Sequence, residues 1–512
     1  MLKHIIQTRS IGTNAVLAIA ALAATIPVTA SSVATHRKGA HAAAVAPAEM
    51  PPVADNPVAV RRHADFDAMR TFRPGYAFWR HVFTLPDGSI AFGSAVDGRL
   101  LVTFPTKGDW KRQAVWADST LAHVLDGQPL ARRLSERREQ VARLLERAAG
   151  PVLHNSTRGD ALLQNVRRYG SFVAEWSAIY ERFGVPAEIG LAQVILESGM
   201  SGTRRSEANA VGFCQWLQRN WKRLNYFSPV PIQGHNQTTQ APYCAAYLSI
   251  LAAKYGSFIP AVSEHNAGGT NVGRTLINGE HLGAEDVRAR YLAGSKLASD
   301  LRALPGRQYA SVYRSYGPRS HLYAEMVFGN SFNVGNLIAT TPQEPIYAMR
   351  TPRTISLAEI VQRTGLRADE VRRFNPALVE RVPAKAALYL PYHVSEFGPD
   401  VAFWRRPASA SYAAVLDDFM HLDAGPDIWD NPAFAPVLTD FKRRFRETNT
   451  EEGVVMETVL TYAMDQAYTS PRRTLLLEFR RSEQVRRLVE RGVLELAAPR
   501  NAQAVPVATA TF

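Results

Sequence analysis

The chain has 512 residues, 46% of them apolar, with a formal net charge of +13. That length predicts more than one domain, and the apolar share is enough for ordinary cores. The positive balance favours a polyanionic partner: nucleic acid, an anionic membrane surface or an acidic wall polymer. The basic residues are scattered, though, and neither zinc-finger spacing nor a nucleic-acid-binding motif is present, so nucleic acid is not the expected partner.

The N-terminus sets an expectation about compartment. Lys3, His4 and Arg9 form a short basic region, and residues 15–26 are apolar and rich in small side chains. Val28 and Ala30 suit the small-residue cleavage rule, so residues 1–30 read as a secretory signal peptide cut after Ala30. The apolar run is short for a membrane span. No cysteine precedes Cys214, so a lipoprotein signal is absent, and no later apolar run is long enough to cross a bilayer. The expected product is exported to the periplasm or cell envelope, where its charge permits peripheral contact with a membrane.

Residues 31–60 are rich in Ala, Pro and Val and read as a linker. Residues 76–105 alternate apolar stretches with the turn signals PDG and VDGR, which predicts a small antiparallel meander. Residues 131–150 carry Leu and Val at helical spacing, with arginines on the other face as a solvated surface. Helical text continues to Gly184, which suits a C-cap, and Pro186 opens the next helix. Residues 181–338 are mostly helical with Gly-rich breaks. After TTPQEP comes a compact α/β-patterned unit at 346–393, and residues 400–500 are helix-rich. The regions 61–180 and 400–500 carry no legible role.

The chain has two cysteines, Cys214 and Cys244. An even count in an exported protein permits a disulfide. Nothing in the spacing forces their Cα atoms to bridging distance, so two buried thiols are the favoured expectation. They make a poor metal site, and no metal- or cofactor-binding motif is visible; none is expected.

One stretch, QVILESGMSG, places the carboxylate of Glu197 in the last turn of an apolar helix. Burial and the helix C-terminus both disfavour its charge and raise its pKa, as a general acid requires. The plain alternative is a solvent-facing helix end. Further on, Gly212 and Gln215 stand in a glycine-led turn, His265 and Asn266 precede a Gly-Gly break, and Tyr323 follows a Gly-Pro turn. Each has a structural reading too. Ser198 can end the helix, Gln215 and Asn266 can satisfy turn backbone, Tyr323 can be core, and His265 can be a structural histidine.

Taken in order, Glu197-Ser198, Gly212-Phe213-Cys214-Gln215, Glu264-His265-Asn266-Ala267-Gly268 and the Tyr323 segment resemble the motifs of the soluble-lytic-transglycosylase domain. That domain shares the goose-type lysozyme fold, and the layout is similar to membrane-bound lytic transglycosylases. Departures are Cys214 for an apolar residue, Glu264-His265 for Ala-Tyr, and Ala324 for Val. The resemblance implies cleavage of the β-1,4 bond between N-acetylmuramic acid and N-acetylglucosamine in peptidoglycan glycan strands. It implies Glu197 as the catalytic acid and then base, yielding a 1,6-anhydro end. It places Ser198, Gln215, His265, Asn266 and Tyr323 on the substrate. Glu207 and Glu264 are nearby carboxylates outside any second catalytic motif. The alternatives are a non-catalytic wall-binding or assembly scaffold and a lysozyme-type hydrolase.

Residues 346–393 resemble a divergent LysM module, a βααβ unit that binds N-acetylglucosamine-containing glycans. Ile360-Val361, Gly365, Val371, Asn375-Pro376 and Leu388 carry the likeness, while Pro352-Arg353-Thr354-Ile355 replaces the usual Gly-Asp-Thr-Leu turn. The expected fold class is mainly α: a lysozyme-like helical catalytic domain, a small LysM-like module, an N-terminal β-meander and a helical C-terminal region.

Overall fold

A computed structural model describes residues 56–301, 320–341, 346–391, 407–422 and 435–468. The segment read as a signal peptide and the basic helical text at 473–493 lie outside these residues. The described chain is mainly helical.

Helix α1 (Pro57–Phe72) starts where a linker was expected. The Asn56 side chain accepts from the Val58 and Ala59 amides, and Pro57 has no amide to satisfy. The linker therefore does not reach residue 60. On α1 the buried Asp65 accepts from Ser257 Oγ at 2.7 Å, Phe258 N at 2.6 Å and Arg288 Nε at 2.6 Å. Through Asp65, α1 is tied to two elements of the helical core.

The sheet begins later than expected and runs beyond residue 105. Pro74–Phe83 is a 3-10 helix, and it buries Tyr76, Phe78, Trp79, Val82 and Phe83. Strands β1 (Ser89–Ser94), β2 (Leu100–Pro105), β3 (Val115–Trp116) and β4 (Val152–Ser156) follow. They form an antiparallel sheet in the order β3-β2-β1-β4, with Ile90 opposite Phe104 and Phe92 opposite Val102. Helix α2 (Leu134–Ala149) packs Val141, Ala142 and Leu145 into one small core with Phe92, Phe104 and Trp110. Its Arg143 and Arg147 face solvent, as the amphipathic spacing predicted.

The main helical body comprises α3 (Gly159–Tyr169), α4 (Ser171–Arg182), α5 (Ala187–Ser198), the short strands β5 (Ala210–Val211) and β6 (Trp216–Leu217), α6 (Gln218–Phe227), α7 (Gln237–Tyr255), α8 (Phe258–Ala267), α9 (Gly269–His281), α10 (Val287–Leu301) and α11 (Tyr323–Thr340). Helix α5 packs against both α4 and α11. That explains its apolar sequence: Ile189, Leu191, Ala192, Val194 and Ile195 are all buried, on every side of the helix.

Strand β7 (Ile346–Arg350) pairs antiparallel with β10 (Ala387–Pro391). Between them come β8 (Ile355–Ser356), α12 (Leu357–Thr364), α13 (Ala368–Phe374) and β9 (Arg381–Val382). Ile360, Val371, Leu388 and Leu390 belong to a separate small core. Asn375 ends α13 and locks it to β10, its side chain accepting from Tyr389 N at 2.9 Å and donating to Tyr389 O at 2.6 Å.

Helices α14 (Ala410–Met420), α15 (Ala435–Glu447) and α16 (Glu451–Tyr468) do not build a core of their own. Phe419, Phe445, Met456, Val459 and Leu460 share the core that holds Ile195 and Phe213. Helix α16 lies along α7, and its buried Glu452 pairs with Arg182 at the end of α4.

The cysteines correct a further expectation: Cys214 and Cys244 form a disulfide across a Cα separation of 6.5 Å. Both are buried as expected, but the turn at Gly212 lays Cys214 against α7, a tertiary contact that spacing alone does not encode. The bridge closes a loop with a sequence separation of 30. A Cys214→Ala/Cys244→Ala variant is expected to lose about 3 kcal/mol of stability through the freer unfolded chain. A urea titration of the two proteins, read as a lower midpoint for the variant, checks this.

Candidate active site

Glu197 occupies the last turn of α5, and Gly199 closes that helix in the left-handed region at φ 60°, its amide bonding Ile195 O. The Glu197 side chain is 16% exposed. Burial pushes its pKa up from 4.5 to about 7, against the opposing hydrogen bonds from Tyr323 and Asn266. The C-terminal end of the α5 dipole acts in the same sense as burial. The carboxyl is therefore shared between its two protonation states near neutrality.

Tyr323 opens α11, and its hydroxyl donates to Glu197 Oε1 at 2.5 Å. The phenol is buried, and burial followed by the neighbouring carboxyl holds its pKa well above 10. It remains a donor throughout the range in which Glu197 titrates. Asn266 stands in the last turn of α8. Ser320 Oγ donates to its Oδ1 at 2.9 Å, which turns the amide nitrogen toward Glu197 as a second donor.

His265 is the third neighbour. Its Nε2 lies 4.0 Å from Glu197 Oε1 and 3.0 Å from Cys214 O, while Nδ1 accepts from Trp216 Nε1 at 3.1 Å. Because Nδ1 accepts, Nε2 carries the proton and donates to the Cys214 carbonyl. Burial pushes its pKa down to about 4, so the ring is neutral near pH 7.

The remaining two expected residues serve backbone. Ser198 Oγ donates to Val194 O at 2.9 Å, one turn back on α5. Gln215 sits at φ 53°, and its amide nitrogen donates to Gly212 O at 2.8 Å and Arg204 O at 3.0 Å. Those bonds hold a turn whose left-handed backbone is uncommon for a non-glycine residue. Of the predicted set, Tyr323, Asn266 and His265 gather on Glu197, while Ser198 and Gln215 shape the segments around it.

That turn is fastened to α7 twice. Gln240 is fully buried, accepting from Cys214 N at 3.3 Å and donating to Val211 O at 3.1 Å. Cys244, one helical turn further, holds the same segment covalently. Gly212 has φ 72°, and a Cβ there would meet the Gln240 amide at 2.3 Å, so only glycine fits.

Glu264 and Glu207 stand apart from this arrangement. Glu264 is buried and bonded by Lys254 at 3.1 Å and by the Tyr255 hydroxyl. Glu207 is exposed. Among the described residues, the groups bonded to Glu197 are thus a phenol and an amide, not a second carboxylate.

Sequence reasoning passed over three contributors. Gln193 lies one turn before Glu197 on α5 and beside the Tyr323 phenol, a position its i, i+4 spacing could have flagged. Trp216 and Ser320 each hold a neighbour of Glu197 from behind, His265 and Asn266 respectively. A lone serine carries no signal for that, whereas an indole directly after the glutamine was a cue.

A protonated buried Glu197 carries a stability signature. Its folded-state pKa is above the unfolded one, so the folded chain binds the proton more tightly. Stability falls as pH rises from 4.5 through about 7, by roughly 3 kcal/mol at about 1.4 kcal/mol per pH unit. Glu197→Gln is therefore expected to match wild type in stability at pH 4 and to exceed it by up to about that amount at pH 8. Denaturant midpoints of both proteins at the two pH values check it.

No protein-family model matches the chain, and no curated protein matches it significantly.

Proposed function

We propose that the chain is an exported peptidoglycan lytic transglycosylase. The observation that carries this reading is the buried Glu197 carboxyl, bonded by Tyr323 and Asn266 with no second carboxylate bonded to it among the described residues, its pKa pushed up to about 7 by burial. Ordinary glycosidases need two carboxylates, one as acid and one as nucleophile or base. One is enough when the nucleophile belongs to the substrate.

Protonated Glu197 gives its proton to the glycosidic oxygen between N-acetylmuramic acid and N-acetylglucosamine, and the C1–O bond breaks. The leaving sugar departs as an alcohol. Glu197, now a carboxylate, takes the proton of the muramic C6 hydroxyl, whose oxygen closes on C1. The product is a 1,6-anhydro end, and the acid is restored without net consumption of water. A pKa of about 7 suits both halves, because the best acid–base group lies near the working pH. Tyr323 steadies the carboxylate while it is charged, and Asn266 lies at the same oxygens. The helices around Glu197 correspond in this reading to a lysozyme-like catalytic domain.

The βααβ unit from Ile346 to Pro391 fits a LysM-like module. Where that family has its Gly-Asp turn, Arg353 here pairs with Glu359 at the start of α12. Its partners would be the same glycan strands.

Digestion of purified sacculi, with products weighed by mass spectrometry, tests the reading. Anhydro-muropeptides are expected, and Glu197→Gln is expected to lower their release by about 100- to 10,000-fold. Products with only reducing ends would make the chain a lysozyme-type hydrolase. Sacculus binding without release would make it a scaffold. Full activity in Glu197→Gln would remove Glu197 from the mechanism.

A further inference from the structure

A histidine 4.0 Å from a carboxyl would ordinarily form an ion pair with it. An imidazolium at that place would draw Glu197 into its charged form, and the acid would be lost. Burial already disfavours that state, and the ring's hydrogen-bonding neighbour at Nδ1 opposes it further. Trp216 Nε1–H points at Nδ1 from 3.1 Å, so a second ring proton there would set one N–H against another. The other nitrogen already spends its proton on Cys214 O, at 3.0 Å. Trp216 cannot easily turn aside. It is 4% exposed and lodged against Trp221 at 4.9 Å and Tyr247 at 5.0 Å between ring centroids. Cys214 in turn is held to α7 by its disulfide.

We propose that Trp216 is a positioning residue that keeps His265 uncharged, and so keeps a cation from forming beside the Glu197 carboxyl. This rests on Glu197 being the catalytic acid. It assigns a purpose to the His265 departure from the usual tyrosine: a group of similar polarity whose charge is blocked by a fixed indole.

The other titratable groups that the packed elements bring near do not supply the effect. Tyr323 on α11 is bonded to Glu197, with Tyr180 on α4 behind it; both phenols are held well above 10 by burial. Tyr247 on α7 and Tyr462 on α16 flank Trp216 and are raised likewise. Glu264, the neighbour of His265 on α8, is paired with Lys254 and bonded by Tyr255. Asp465 on α16 is bonded by Arg223, and Arg219 lies near Tyr462.

The test follows the Glu197 carboxyl directly, by carbon NMR of the full chain labelled at glutamate Cδ, with the resonance identified by its loss in Glu197→Gln. In Trp216→Phe, which keeps a packed ring but loses the N–H, the His265 titration should rise toward its ordinary range. The Glu197 midpoint should fall by about 1 to 3 pH units. In Trp216→Phe/His265→Gln no cation can form, and the midpoint should return to the wild-type value. An unmoved midpoint in the single variant, or a double variant as low as the single, overturns the proposal. A second measurement needs no variant: nitrogen shifts of His265 in the wild-type chain at pH 7 should show a neutral ring protonated at Nε2, and an imidazolium overturns it. Sacculus digestion by the wild-type chain is run alongside. Its failure would count against the transglycosylase reading, while the titrations would still decide the role of Trp216.

Discussion

The hydrogen bond from Tyr323 to Glu197 is the constraint on which the rest of the body is built. It joins the end of α5 to the start of α11, two helices packed along each other through apolar side chains. Two opposed effects meet at this bond. Burial within that packing drives the carboxyl toward its neutral form, and the phenol and amide draw it back toward its charged form. Burial is the larger, yet the balance leaves the group near pH 7 rather than permanently protonated. More exposure would return it to an ordinary surface acid. Fewer donors would give a group that could hold a proton but not part with it readily.

Holding that balance requires fixed neighbours, and the molecule fixes them from α7. Gln240 and Cys244 occupy one face of that helix and grip the same turn, one by hydrogen bonds and one by a covalent link. The turn carries Trp216 and the Cys214 carbonyl, and both reach His265. The gripping residues are not themselves at the carboxyl. They stand one layer back, where they set orientation.

How much of this was legible in the sequence varied with the range of the interaction. Helix α5 was readable because Gly184, Pro186 and an unbroken apolar run are local signals, and Glu197 stood out because its surroundings were already apolar. Helix α1 was hidden by a linker-like composition, although Asn56-Pro57 carried an ordinary start signal. The 3-10 segment at Pro74–Phe83 was mistaken for strand because its aromatic residues are buried without a helical or alternating period. Within the site, residue type alone could not separate a glutamine facing a cleft from Gln215 bonding its own turn, or an orienting serine from Ser198 bonding the preceding helical turn. The disulfide depends on where α7 lies relative to a turn some 30 residues earlier, which no local pattern records.

The pairing of Arg182 with Glu452 has a consequence for how the molecule comes into being. These residues are 270 positions apart, and α16 covers a face of α7 that belongs to the core around Glu197. The segment from α4 to α11 is therefore not a module that closes on itself. Its core is completed by chain that emerges much later, and such distant closure is slow relative to local helix formation. For a chain that folds from its N-terminus, the face of α7 that α16 covers stays open until residues 451–468 have docked, so the core shared by the two is the last part of this body to close.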